Sequence, residues 1–154
     1  MRQTTGTVQR YETGDVWLAD GSARPDPVHK TWAGQGLAPV ASGSRWLVVE
    51  APLLRSVEAI ARIGGDRIGP ILGDIHRRVA WWLVPPALAG ELDGVRELTV
   101  RPAGWALECP PVRHSVAGRW WIERPDGSDL LTDPAALADA FGAGHAPSPT
   151  EVSR

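Results

Sequence analysis

The feature that most constrains this chain is an uninterrupted apolar run, Val79-Ala80-Trp81-Trp82-Leu83-Val84, which Pro85-Pro86 terminates. Successive side chains of a strand point to opposite faces, so a strand made only of apolar residues must bury both. The run therefore predicts a strand that is covered on both faces or is central in a sheet. The Ile68–Leu72 run, joined to it by polar residues 73–78, predicts its hairpin partner.

Helices are predicted on either side of this hairpin. From residue 53 to 63, apolar residues recur at steps of three and four, which predicts an amphipathic helix that Gly64-Gly65 ends. An aspartate followed by a proline is typical of a helix start, because aspartate suits the N-cap and proline suits the first helical position. This dipeptide occurs twice and predicts helices over 27–34 and from 134 to about 141. Residues 86–92 predict a short helix.

Further short β-prone runs predict the remaining strands, at residues 16–19, 37–40, 46–50, 97–101, 105–108 and 119–123. Because the turn-prone Ala41-Ser42-Gly43-Ser44 lies between 37–40 and 46–50, this pair favours a turn or short hairpin. Together, these strands and helices predict an α+β fold with a mixed or mostly antiparallel sheet and helices packed on it.

The chain length predicts one domain, since 154 residues with 43% hydrophobic side chains supply one core of ordinary size. Residues 1–15 are polar without a clear period and are interpreted as an N-terminal arm. Residues 16–141 form the predicted domain. Residues 142–154 contain Gly, Pro and Ser without period, which predicts a disordered tail.

Composition excludes several function classes. The net charge of −2 argues against binding nucleic acid by bulk charge, although a local basic patch stays compatible with it. The single cysteine, Cys109, rules out an intramolecular disulfide and favours a cytoplasmic location. No run approaches the roughly 18 apolar residues of a membrane span. Because glycine loops for nucleotides are absent, no cofactor is predicted.

Metal ligands are scarce in the sequence. Cys109 and His114, with His76, could in principle meet around zinc, but no fourth ligand is evident and a small core residue is the favoured interpretation of the cysteine. Glu50 and Glu108 each end an apolar strand and are the best pair for magnesium or manganese. The competing interpretation of both is a solvated carboxylate.

Tryptophan makes up eight of the ten aromatic residues, and six of the eight fall in the predicted strands from residue 46 onward. The neighbours in Trp81-Trp82 and Trp120-Trp121 must point to opposite faces, so one of each pair is covered by a helix or open to a ligand. Exposed Trp beside Arg would stack unpaired bases. The predicted nucleic-acid-binding residues are Arg77, Arg78, Trp82, Trp105 and Trp121. Arg67, Arg113 and Arg119 could extend this rim, against the competing interpretation of a solvated arginine surface.

The order of these segments over about residues 26–141 resembles the N-terminal domain of bacterial bifunctional DNA primase/polymerases, within the archaeo-eukaryotic primase superfamily, and especially its short, diverged actinobacterial relatives. The motifs that carry the resemblance are Trp46–Glu50, Gly73–Pro86, Trp105–Pro111 and Gly118–Trp121. The resemblance implies a primase-polymerase-like fold.

The catalytic pattern of that family is incomplete here. In active members an apolar strand ends in two metal-binding carboxylates separated by one residue, whereas Glu50 is followed by Ala51 and Pro52. The family's late acidic residue corresponds to Thr99. Its nucleotide-binding histidine falls close to His76 or Val79, and only a shifted alignment gives His76 that role. The resemblance therefore implies a scaffold that has lost catalysis.

Three hypotheses follow. The leading one is a non-catalytic binding module for a protein or a single-stranded nucleic acid. The first alternative is an active nucleotidyltransferase of primase/polymerase type, in which Glu50 and Glu108 bind magnesium or manganese and a nucleoside triphosphate lies near His76. The second alternative is a self-associating structural or interaction protein, whose exposed Trp faces form the interface.

Overall fold

The computed structural model describes the backbone of residues 2–145 and the side chains of residues 11–142. Over these residues the chain forms four α-helices, seven β-strands and two short 3₁₀ helices, at Gly65–Arg67 and Pro86–Leu92. In chain order the helices and strands are α1 (Arg2–Ala19), α2 (Pro25–Ala33), β1 (Ala38–Ala41), β2 (Leu47–Pro52), α3 (Leu53–Ile63), β3 (Ile71–Asp74), β4 (Val79–Val84), β5 (Thr99–Val100), β6 (Ala106–Cys109), β7 (Arg119–Glu123) and α4 (Pro134–His145).

The apolar run is strand β4, the middle strand of a five-stranded antiparallel sheet with the order β5-β2-β4-β3-β7. The predicted hairpin is β3 paired with β4. Strands β1 and β6 form a separate two-stranded antiparallel sheet. The α+β fold with antiparallel sheets is therefore confirmed.

Both faces of the five-stranded sheet are covered, because separate groups of elements pack on each. On one face Trp81 and its neighbours pack against Trp17 of α1, Trp32 of α2 and Leu107 of β6. On the other face Trp82 packs against a cluster that includes residues of α3 and α4, with Phe141 edge-on to its ring. Trp81 is 1% exposed and Trp82 is 0% exposed, as the apolar run predicts.

Helix α3 lies where its periodicity predicts, and its sequence explains both ends. Pro52 precedes the first residue in extended conformation, and Gly64 follows the last with a φ of 90°, a region that glycine enters without steric cost. Leu53, Ser56 and Ala59 are its buried residues.

Three local predictions are wrong. Residues 16–19 are the end of α1 and not a strand, because Trp17 and Leu18 reach the core from one side of a helix. The 37–40 and 46–50 runs do not form a hairpin, since β1 pairs with β6 and β2 pairs with β4 and β5. Asp26 is not the N-cap of α2, because the helix begins at Pro25 after Arg24.

The terminal segments contain helix as well. The backbone is helical from Arg2, within the segment 1–15 that the sequence analysis interprets as an arm. Helix α4 extends to His145, into the segment 142–154 interpreted as a tail, and residues 146–154 lie outside the described residues.

Candidate functional site

Glu50 is the strongest catalytic candidate from the sequence, and its carboxylate is already engaged. Its Oε1 accepts hydrogen bonds from Trp81 Nε1 at 3.0 Å and from Arg101 Nη2 at 2.8 Å. The Arg101 guanidinium lies 5.3 Å from the centre of the Trp105 ring, which fixes it over that side chain. An arginine in this position neutralises the charge that a divalent cation would need. The geometry of Glu50 is that of an ion-pair partner.

The other predicted metal ligands lie apart from Glu50 in the fold. Glu108 is exposed on β6, in the smaller sheet, and His76 is exposed in the turn between β3 and β4. Among residues 11–142, whose side chains are described, no three His, Cys, Asp or Glu residues are arranged to hold a metal ion. Cys109 is a buried core residue, and burial raises the pKa of its thiol well above the ordinary range.

The predicted stacking face needs correction, because two of its three tryptophans are buried. Trp82 is 0% exposed and donates to Ser56 Oγ at 3.0 Å, while Trp121 is 7% exposed and donates to the Pro110 carbonyl at 3.1 Å. Covering elements on both sheet faces leave neither ring open to a base. Trp105 is half-buried beside Arg101.

The arginine rim is also rearranged. Arg77, Arg78 and Arg113 are exposed, as a phosphate-binding role requires. Arg67 pairs with Asp133 at 3.0 Å, next to the start of α4. Arg119 is only 8% exposed and points into the core, so it is not part of a solvent-facing rim.

Arg119 forms a buried ion pair with Asp74 that the sequence analysis missed. Arg119 Nε lies 3.0 Å from Asp74 Oδ2, and Arg119 Nη1 donates to the Glu108 carbonyl at 2.7 Å. The guanidinium lies 4.5 Å from the centre of the Trp81 ring. Arg119 therefore links the five-stranded sheet to β6 of the smaller sheet. The sequence signal that could have indicated this pair is Asp74 itself, an aspartate at the end of a strand and before a polar turn.

Asp74 also fixes the turn that follows it. Its Oδ1 accepts from the backbone N–H groups of His76 at 2.9 Å and Arg77 at 3.0 Å. Burial raises the pKa of Asp74, but the hydrogen bonds from Arg77, Arg119 and His76 outweigh it, so the pKa lies below its ordinary value. The two backbone N–H groups and the Arg119 guanidinium therefore favour the ionised form of the Asp74 carboxylate.

Two loops meet beside Asp74, and we call them together the cationic end: the turn Ile75-His76-Arg77-Arg78 and the loop 113–118. The Ile75 N–H donates to the Gly118 carbonyl at 3.0 Å. Gly118 has a φ of 82°, and a side chain at this position would collide with the His76 ring. A glycine is therefore required where the two loops touch.

All charged side chains within the two loops of the cationic end are positive. Arg77, Arg78 and Arg113 are its charged side chains, and His76 and His114 are exposed beside them. Neither loop contains a carboxylate, and the adjacent Asp74 is buried against Arg119. A nearby carboxylate that is not buried is Asp15 of α1, which is half-buried close to Arg113 and His114. Such a surface can bind phosphate or another polyanion at several points at once.

Over the described residues no helix is both long and apolar enough to cross a bilayer.

In comparison with known proteins, the sequence matches no family model, and no curated protein or solved structure matches it.

Proposed function

We propose that the protein is a non-catalytic module that binds single-stranded nucleic acid through backbone phosphates at the cationic end. The observation that carries the proposal is the single sign of charge across two loops in mutual contact, with the nearby Asp74 carboxylate buried and paired. Arginines placed in this way supply sequence-independent contacts to phosphate oxygens. A local patch of this kind is compatible with the net charge of −2.

A single strand fits this surface better than a duplex. His76 and His114 present exposed rings between the arginines. Histidine rings and guanidinium planes stack on unpaired bases, which a duplex keeps inside its own stack. These groups replace the buried Trp82 and Trp121 in the stacking role that the sequence analysis gave to tryptophan.

The absence of catalysis is part of the proposal, and so is the primase-polymerase-like scaffold that the segment order resembles. The bonds from Arg101 and Trp81 to Glu50 Oε1 support it, because they pair the carboxylate charge with a guanidinium that competes with a divalent cation. In this proposal Glu50, which lies within β2 and not at its end, has become a structural ion-pair partner.

The test measures anisotropy of a 5′-fluorescein-labelled dT20 at low salt. The Arg77→Gln/Arg78→Gln variant is expected to bind about tenfold more weakly, and the slope of log K against log salt is expected to fall in magnitude by about 1.4 for two lost phosphate contacts. An Arg62→Gln/Arg96→Gln variant is the matched control, since both arginines are exposed outside the two loops. Equal loss in both variants, or no binding by the wild type, contradicts the proposal.

A second assay addresses catalysis directly. Primer synthesis and primer extension with manganese and all four nucleoside triphosphates are expected to give no product. A product that disappears in the Glu50→Gln variant would restore the nucleotidyltransferase alternative, with Glu50 as a metal ligand.

A protein partner is the second candidate, and one observation favours it. Leu54 and Val57 are 78% and 51% exposed on α3. The Leu53 N–H donates to the Arg78 carbonyl at 2.9 Å, which places this apolar pair next to the cationic end. A Leu54→Ser/Val57→Ser variant separates the two functions, because it is expected to leave dT20 binding unchanged. Light scattering on the wild type and on this variant tests self-association through the same pair.

A further inference from the structure

Helix α2 carries a second group of basic side chains close to the loop 113–118. Arg24, His29 and Lys30 are exposed at its N-terminal side and along its outer face. They line an open concavity of about 600 Å³, together with Asp26, Pro27 and Ala33. This concavity belongs to no role described so far.

Two hydrogen bonds hold α2 and α1 against the chain that enters the loop. Trp32 Nε1 of α2 donates to the Cys109 carbonyl at 2.9 Å, and the His29 ring meets the Trp32 ring edge-on with centres 5.6 Å apart. The Val112 N–H donates to Asp15 Oδ1 of α1 at 2.7 Å. His29 is therefore fixed next to the segment that begins the loop.

Asp15 shows that the two cationic groups converge. It lies close enough to His29, Arg113 and His114 for the charge of each to favour its ionised form. Burial acts in the opposite direction and is the larger effect, so the pKa of Asp15 lies above its ordinary value. His29 of α2 and both basic residues of the loop thus surround one half-buried carboxylate.

From this arrangement we infer that the phosphate-binding surface continues from the cationic end across Arg113 and His114 onto α2, where Arg24 and Lys30 hold a further part of the same strand. This inference rests on the proposed function and adds the path of the strand. Charge complementarity selects the occupant, because the turn after β3, the loop 113–118 and α2 each present exposed cations. Asp26 is the one carboxylate among the residues that line the α2 concavity, against the two cations Arg24 and Lys30.

The experiment is a length series of 5′-fluorescein-labelled oligo-dT, from dT4 to dT20, measured by anisotropy at fixed low salt. For the wild type, affinity is expected to rise with length until the strand covers both parts of the path. The Arg24→Gln/Lys30→Gln variant is expected to match the wild type on the shortest oligonucleotide that binds. On dT20 it is expected to bind about tenfold more weakly, with a salt slope smaller in magnitude by about 1.4.

The controls distinguish this inference from the proposed function. Arg77→Gln/Arg78→Gln is expected to weaken binding at every length, and Arg62→Gln/Arg96→Gln at none. If no oligonucleotide binds the wild type, the proposed function fails. If binding requires Arg77 and Arg78 but the α2 variant follows the wild-type length dependence, the proposed function stands and the path over α2 is overturned. Superimposable circular dichroism spectra and melting curves confirm that the variants are folded.

Discussion

Two ion pairs flank Trp81 on the same face of the five-stranded sheet, and they differ in solvation. In the Asp74–Arg119 pair the side chains are 6% and 10% exposed, whereas in the Glu50–Arg101 pair they are 25% and 34% exposed. Asp74 and Arg119 have further backbone partners on both sides. Arg101 Nε is buried without a hydrogen-bond partner. The buried pair is thus completed by hydrogen bonds from its surroundings, whereas the half-buried pair leaves one buried donor of Arg101 unsatisfied.

Removing Arg119 is expected to give the largest effect. Arg119→Ala leaves the Asp74 carboxylate buried without its counter-charge, and breaking a buried pair in this way costs about 3–5 kcal/mol. Urea unfolding measures the loss. Arg77→Ala is the control, because this exposed side chain is expected to matter by about 0.5 kcal/mol or less. A loss below about 1 kcal/mol for Arg119→Ala would contradict the buried pair's special role.

The second prediction concerns the stability of the protein at acid pH. Because the pKa of Asp74 is lowered in the folded state, the ionised carboxylate contributes stability above the unfolded-state pKa of about 3.9, and this contribution is lost as pH falls through the lower folded value. The free energy of unfolding of the wild type is expected to fall more steeply below about pH 4 than that of Asp74→Asn. Parallel curves for the two proteins across this range would show that Asp74 is not coupled to folding.

Breaking the half-buried Glu50–Arg101 pair is expected to lower the free energy of unfolding less than breaking the buried pair. Arg101→Ala removes one ion pair and the contact with the Trp105 ring, but Glu50 stays partly solvated and keeps its bond from Trp81. We expect a loss of about 1 kcal/mol or less in urea unfolding. A cost equal to that of Arg119→Ala would remove the distinction between the two pairs.

The smallest expected effect is that of Glu50→Gln. The amide oxygen still accepts from Trp81 Nε1, and only the charge opposite Arg101 is lost. We expect a change of about a few tenths of a kcal/mol, since the pair is partly solvated and its geometry is kept. Glu50→Leu, which also removes the acceptor, is the comparison variant, and an equal loss in both would show that the hydrogen bond from Trp81 contributes nothing.

Much of the fold could be predicted from local pattern. The apolar run of β4, the hairpin with β3 and helix α3 all depend on periodicity and on residues such as Gly64 that end an element. Strand partners far apart in the chain leave no such local signal. The pairing of β1 with β6 therefore cannot be predicted from the sequence. Helix α1 cannot be predicted for a different reason, because residues 1–15 are polar and show no clear apolar period.

The candidate site could be predicted only in its parts. Arg77 and Arg78 are visible in the sequence as a basic turn. The contact of Ile75 with Gly118, which brings the second loop to them, depends on the pairing of β3 with β7. Strand alternation predicts that Trp81 and Trp82 face opposite ways, but it does not reveal that other elements cover both faces.

The pairing of β1 with β6 has a consequence for synthesis of the chain. Every strand of the five-stranded sheet except β7 lies between these two partners in sequence. A nascent chain that has passed β1 must wait for β6 before the smaller sheet can close, and such long-range pairing is slow. Until then Trp32 lacks its acceptor on Cys109. Until β6 is made, Trp32 and the apolar residues around it also lack Leu107 and Cys109 as packing partners, and transiently exposed apolar surface of this kind favours aggregation.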